Sequence, residues 1–269
     1  MANLYTTTVS GRISRVRHPM IFLTGDTHGK FEKLSNTNWP ISTYLTRNDY
    51  IIVAGDFGLL FYPTPTPEEI WWTKWLTGKP WTILFTDGNH ENFDKLNALP
   101  TEQMFGGTVG KVAENIFHLR RGEIYEIEGK KILTFGGATS IDKVYRQEGV
   151  SWWPEEVPNY AEMSHCLDSM EKHNYRVDYV IAHTCPQALA PVIAGKLGCS
   201  LIDDPTQRML DHITCACKFD HFFCGHFHTD VDYGQFHFLY NRIIKSSDFD
   251  NLYLEEELID DEIKVDELD

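Results

Sequence analysis

Met20-Ile21-Phe22-Leu23-Thr24-Gly25-Asp26-Thr27-His28 sets the pattern on which the rest of the chain is read. A short run of large apolar residues ends abruptly in a glycine and then in polar side chains with strong ligand atoms. Runs of this kind read as buried strands. Two more repeat the design, Tyr50-Ile51-Ile52-Val53 before Gly55-Asp56 and Trp81 to Phe85 before Gly88-Asn89-His90. Between them, Pro67-Glu68-Glu69 opens a helical segment through Leu76 that Gly78 and Pro80 close. Strand, helix and strand in alternation predict a largely parallel sheet covered by helices.

The middle of the chain changes character. Ile116 to Leu119, Glu123 to Glu128 and Lys131 to Phe135 are separated by Arg121-Gly122 and Glu128-Gly129-Lys130, which predicts an antiparallel meander and a second sheet. Asn159 to His173 and Asp204 to Ile213 read as helices. Tyr179 to Ala182 and Phe222 to Cys224 read as buried strands, and a hairpin is expected around Tyr233 to Arg242. No repeat or linker divides the chain, so residues 1–269 are expected to form one domain, with an acidic tail or edge segment from about Glu255 to Asp269.

Composition narrows the partners. The 269 residues are 42% hydrophobic and 23% charged, as in an ordinary folded protein. A net charge of −15 argues against a broad basic face that grips nucleic acid. No early segment has the build of a signal peptide and no later one the roughly 18 apolar residues of a membrane span, so a cytoplasmic location away from the membrane is expected. The six cysteines lack Cys-x-x-Cys spacing; buried thiols are expected for most, with Cys215 and Cys217 the close pair.

The chemistry lies at the strand ends. Asp26-Thr27-His28, Gly55-Asp56, Gly88-Asn89-His90-Glu91, Ala182-His183 and Gly225-His226-Phe227-His228 all set a metal-capable side chain after an apolar run. Side chains distant in sequence converge beyond the carboxyl ends of parallel strands. Carboxylate, imidazole and amide oxygen together suit borderline divalent ions such as Mn, Fe or Zn.

In order and in strand context these blocks resemble the calcineurin-like metallophosphoesterase superfamily, whose pattern runs D-x-H, GD, GNH(E/D), H and GH-x-H. The resemblance spans Gly25 to His228 and implies an α/β fold of two packed mixed β-sheets flanked by helices. It also implies that Asp26, His28 and His228 hold one ion, that Asn89, His183 and His226 hold the other, and that Asp56 bridges them. His90 is then the catalytic residue that faces the leaving group. Two ions about 3.5–4 Å apart need a shared carboxylate, and they acidify a water enough to attack phosphorus near neutral pH.

Gly136-Gly137-Ala138-Thr139-Ser140 with Lys143, Arg146 and Trp152-Trp153-Pro154-Glu155-Glu156 is similar to a pattern in a bacterial and phage branch of that superfamily. Arg146 or Lys143 is the expected phosphate contact, because a cationic side chain there meets phosphate oxygens. Trp152 and Trp153 are expected in packing, as is the Trp71-Trp72-Lys74-Trp75 cluster on one buried helix face. GNHE resembles the Ser/Thr protein phosphatases, but Asp56 is followed by Phe57-Gly58 without the arginine of those enzymes, which argues against that activity.

Hydrolysis of a phosphomonoester or phosphodiester of a small molecule or nucleotide is the first functional expectation. The alternatives are a nuclease using Lys111, Arg120, Arg121, Lys130 and Lys131 as its basic groove, and a catalytically silent metal-binding scaffold. The sequence leaves the choice of ester and the oligomeric state open.

Overall fold

Successive residues of each apolar run point to opposite faces, and both faces are buried. In the computed structural model, which describes residues 18–250, β1 (Ile21–Thr24), β2 (Tyr50–Ala54), β3 (Thr82–Thr86), β4 (Thr101–Met104), β5 (Gly107–Ala113) and β6 (Ile116–Leu119) build the first sheet. The second holds β7 (Ile124–Ile127), β8 (Lys130–Phe135), β9 (Tyr179–Ala182), β10 (His221–Cys224), β11 (Val231–Tyr233) and β12 (Phe236–Phe238). A last strand, β13 (Ile244–Lys245), returns to the first sheet against β1. Among the described residues the orders are β13-β1-β2-β3-β6-β5-β4 and β11-β12-β10-β9-β8-β7. Strands β1, β2, β3 and β6 are mutually parallel, as are β8, β9, β10 and β12, while the remaining pairings are antiparallel.

The alternation sorts the core into layers. Leu23, Ile52 and Leu84 of the first sheet meet Ile132, Ile181 and Phe223 of the second between the two sheets. Phe22, Ile51, Val53 and Phe85 face outward to Trp72 and Leu76 of α1 (Pro67–Thr77) and to Phe93 of α2 (Phe93–Asn97). On the opposite side Leu133, Val180 and Phe222 meet α3 (Tyr160–Lys172), α4 (Ala190–Leu197) and α5 (Pro205–Ala216). The fold is therefore two mixed sheets flanked by helices. Local signals agree with it: Thr66 and Glu69 close a capping box on α1, and Asn159 and Glu162 another on α3, each cap contributing about 1 kcal/mol.

Two expectations need correction, and two elements were not foreseen. Ile116 to Phe135 is not one meander, because β6 stays in the first sheet, parallel to β3, and the chain crosses to the second sheet at 120–123. Gly122 makes that crossing with φ 78°, so close to α3 that a Cβ there would lie 2.9 Å from the Cys166 nitrogen. The β4–β5 hairpin and α4 were not expected from sequence. Finally, Trp72 is buried but Trp71 is 55% exposed, so that cluster is not a single buried face.

Cys166, Cys185, Cys217 and Cys224 are buried, Cys199 and Cys215 exposed, and all are free thiols. Among the described residues no helix is long and apolar enough to cross a membrane. The acidic segment from 255 to 269 lies outside the described residues.

Candidate metal centre

The fold brings the carboxyl ends of β1, β2, β3, β9 and β10 to one edge, and all seven expected ligands lie just beyond them. The loops interlock. His28 N donates to the Asp56 carbonyl at 2.8 Å and Gly225 N to the His183 carbonyl at 2.9 Å. Across the sheets, His226 N donates to Asp26 Oδ1 at 2.9 Å.

Such tight turns strain the backbone. Nine described non-glycine residues have positive φ, and five of them are Asp26 (46°), His28 (45°), Asp56 (48°), His226 (67°) and His228 (47°). Each such residue costs of order 1 kcal/mol or more and persists only where its surroundings enforce it. Glycines supply the clearance. A Cβ on Gly55, which has φ 80°, would lie 2.1 Å from the His183 ring, and one on Gly88 would lie 2.1 Å from Asp56 Oδ1.

Two groups of donors form around Asp56. Ligand atoms of Asp26, His28, Asp56 and His228 all lie within 4.8 Å of one another. His28 Nε2 and His228 Nε2 are 2.9 Å apart, near the ~3 Å between two nitrogens bound at right angles to one ion at ~2.1 Å. In the other group, Asn89 Oδ1 lies 3.2 Å from His183 Nε2 and 3.1 Å from His226 Nδ1, and His183 Nε2 lies 3.3 Å from Asp56 Oδ1. Asp56 Oδ2 faces the first group, 3.7 Å from His28 Nε2. The two oxygens of one carboxylate thus serve separate clusters.

The chemistry of the donors fits divalent cations. Asp26 Oδ2 is buried and accepts no hydrogen bond, a costly state for a carboxylate oxygen that a cation would relieve. His183 Nδ1 donates to the Ala54 carbonyl at 3.1 Å, which leaves Nε2 as the ligand atom and fixes the ring.

Burial pushes His28 down to about 4 and His226 down to about 3, keeping both imidazoles neutral and able to ligate. Burial pushes Asp26 up to about 7 against the pull of His183. For Asp56, burial is outweighed by His183, His90 and His28, which hold it well below the usual carboxylate range. His183 resists its own burial because Asp56 and Asp26 hold it up to about 10. A cation in the cage would take the place of that proton.

His90 sits apart from both groups on the cleft wall. Its backbone nitrogen donates to Asp56 Oδ1 at 2.8 Å, and its ring meets that of His28 edge to face at 5.1 Å. Arg146 Nη2 lies 3.2 Å from His90 Nε2. A guanidinium only donates, so Nε2 accepts and the ring proton is on Nδ1. Burial lowers the His90 pKa, and Arg146 adds to that against the opposing Asp56. Arg146 is also paired with Asp142 at 2.7 Å. Lys143 lies instead over the Trp152 ring at 5.7 Å. Trp153 is buried and donates to Asp94 Oδ2 at 2.9 Å, as packing predicted.

Sequence reading missed the supports. Asn89 Nδ2 donates to Ser140 Oγ at 3.1 Å, and Ser140 donates through Oγ and N to the buried Glu156 at 2.8 and 2.9 Å. This turns the Asn89 amide oxygen towards the two histidines. Glu91, buried and pushed well up by burial and then by Asp56, accepts from Phe57 N at 2.7 Å and so holds the loop after β2. Asp87 is clamped by Arg121 at 2.5 Å and His118 at 3.1 Å, while its carbonyl accepts from Gly137 N at 2.9 Å. That clamp ties the β3 loop to the β8 loop across the sheets. The signal available in sequence was a polar residue beside a ligand; its partner, tens of residues away, was not readable.

A family model, calcineurin-like phosphoesterase, matches residues 19–230. No curated protein matches the chain. With that match spanning most of the sequence, and with five strand ends delivering the family's motif residues to one cage, the chain belongs to the calcineurin-like phosphoesterase family.

Proposed function

We propose that the chain is a dinuclear-metal phosphoesterase that hydrolyses a monoester or diester of a small phosphorylated molecule or nucleotide. The observation that carries this reading is the Asp56 carboxylate, with one oxygen towards His28 and the other towards His183. Asp26, His28 and His228 would hold one ion and Asn89, His183 and His226 the other, with Asp56 a ligand that both would share. Mn, Fe or Zn suits the donor set. Two such ions, when bound, activate a water and offset the charge of the phosphoryl group.

The remaining work falls to this chain's own residues. His90 faces the leaving oxygen as a proton donor or as a stabiliser of its developing charge. Arg146, held by Asp142 and His90 at Nη2 and by the Ser151 carbonyl at Nη1, brings a fixed positive charge to a phosphate bound beside His90. Of the two candidates for that contact, the geometry favours Arg146 over Lys143.

The nuclease alternative loses support, because Arg121 of its basic stretch is buried against Asp87 and Glu162, and Lys111 is paired with Glu102 and Glu114. The absence of a membrane-crossing helix among the described residues is compatible with the proposed cytoplasmic location.

The test is hydrolysis of bis-p-nitrophenyl phosphate and p-nitrophenyl phosphate with added Mn. Turnover should vanish on chelation. It should fall in Asp56→Asn by more than the roughly 100-fold at the upper end of an outer-shell loss. In His90→Ala it should fall by about 10²–10⁴-fold with metal content unchanged. Metal-loaded protein that turns over neither ester, or turnover indifferent to chelation, would contradict the proposal.

A further inference from the structure

Beyond the ligand cage the cleft changes chemistry. It encloses about 590 Å³, inside the range of small-molecule sites. The lining away from the ligands is formed largely by Ile141, Ala194, Leu197, Leu201, Ile202 and Phe227, and the residues of 190–202 that line the cleft are all uncharged. The charges in the lining are Asp56 and the Asp142–Arg146 pair.

Three of these apolar side chains stand open to solvent: Ile141 is 72% exposed, Leu197 42% and Leu201 57%. Large exposed aliphatic groups gathered at the mouth of one cleft signify contact with something apolar. Their setting is rigid at the base. Gly198 ends α4 in the left-handed conformation, at φ 68°. Asp204 caps α5 through Thr206 N and accepts from Thr139 Oγ1 at 2.9 Å. The lip at 197–202 is thus anchored to the loop that carries Ser140.

We infer that this wall receives the organic group of the phosphoester, and that the natural substrate carries a compact apolar or aromatic alcohol, not a polyol. The inference rests on the phosphoesterase reading. A water oxygen bonds to phosphorus, the P–O bond to that alcohol breaks, and the alcohol leaves with a proton while the phosphate product keeps the other. Arg146 and the cage hold the charged end, and the aliphatic wall strips water from the other.

The experiment compares 2-phenylethyl phosphate with glycerol phosphate, each also as its methyl diester, on the full chain with Mn. The leaving alcohols are similar in acidity, so recognition decides the ratio. The phenylethyl ester is expected to have a kcat/KM at least about tenfold higher, as for a few methylenes in an apolar pocket. Calorimetry should show 2-phenylethyl phosphonate binding at least about tenfold more tightly than methylphosphonate. Both preferences should collapse towards one in an Ile141→Asn/Leu201→Asn variant. Both should survive in Ile70→Asn, an exposed position on α1. Equal rates and equal affinities would overturn the inference and leave the phosphoesterase reading standing. So would turnover of bis-p-nitrophenyl phosphate with none of the four esters touched. Turnover of none of these esters, bis-p-nitrophenyl phosphate included, would overturn both.

Discussion

The ligand loops and the lip at 197–202 border the same cleft and are built in opposite ways. Asp26, Asp56 and His183 are buried, interlocked through backbone hydrogen bonds and, at both aspartates, held at positive φ. Leu197 and Leu201 are exposed, aliphatic and anchored chiefly at the ends of their segment. In the first region a substitution meets the backbone of a neighbouring loop. In the second it meets solvent or substrate. The chemistry is therefore fixed by geometry that tolerates little change, while selectivity lies on a surface that can vary without disturbing it.

The sharpest way to break this contrast is Gly88→Ala. Its Cβ would fall 2.1 Å from Asp56 Oδ1 and 2.4 Å from Asp56 N, so the shared carboxylate must move. Mn-dependent turnover is expected to drop by more than about 100-fold. Stability should fall by about 1–3 kcal/mol, as for overpacking. Denaturant melts beside the assay check both, and an unaffected enzyme would show the loops to be far softer than their hydrogen bonds imply.

Ser140→Ala should act more gently. It frees the Asn89 amide and leaves Glu156 without its hydroxyl partner, and the loss of such an outer support costs roughly 10–100-fold in metal affinity or activity. Titration of Mn into the variant reads this directly, and unchanged affinity would remove Ser140 from the support.

The cage itself is probed by pH. Without a cation, Asp26 holds a proton up to about 7 and His183 up to about 10, and a cation must displace both. Between pH 7 and 10 only the His183 proton is released; below 7 the Asp26 proton is released as well. Mn affinity should therefore weaken as pH falls, by about tenfold per unit for each displaced proton. Calorimetry in buffers of different ionisation enthalpy counts the protons, and a constant affinity from pH 6 to 8 would contradict these assignments.

The same contrast explains what could be read from sequence. β1, β2, β3, β9 and β10 were legible because each is an apolar run buried on both faces and stopped by a polar ligand. The β4–β5 hairpin was not. It is half-exposed, interrupted by Gly106, Gly107 and Gly110, and offers no apolar run.

Arg121-Gly122 has the composition of a hairpin turn, yet its positive-φ glycine serves a crossover between sheets. Only the packing of β6 beside β3 decides between the two. Ligand types were visible because they sit next to glycines at strand ends. Their supports were hidden, since Asp87 meets Arg121 34 residues later and Ser140 meets Glu156 16 residues later. The aliphatic lip left no periodic signal, because it acquires meaning only from the cage across the cleft.

The most direct test of the central claim is the anomalous scattering of Mn in crystals of the full chain. Two peaks about 3.5–4 Å apart are expected, one bonded to Asp26, His28 and His228, the other to Asn89, His183 and His226, and both to Asp56. A single peak, or a pair that does not share Asp56, would contradict the dinuclear account.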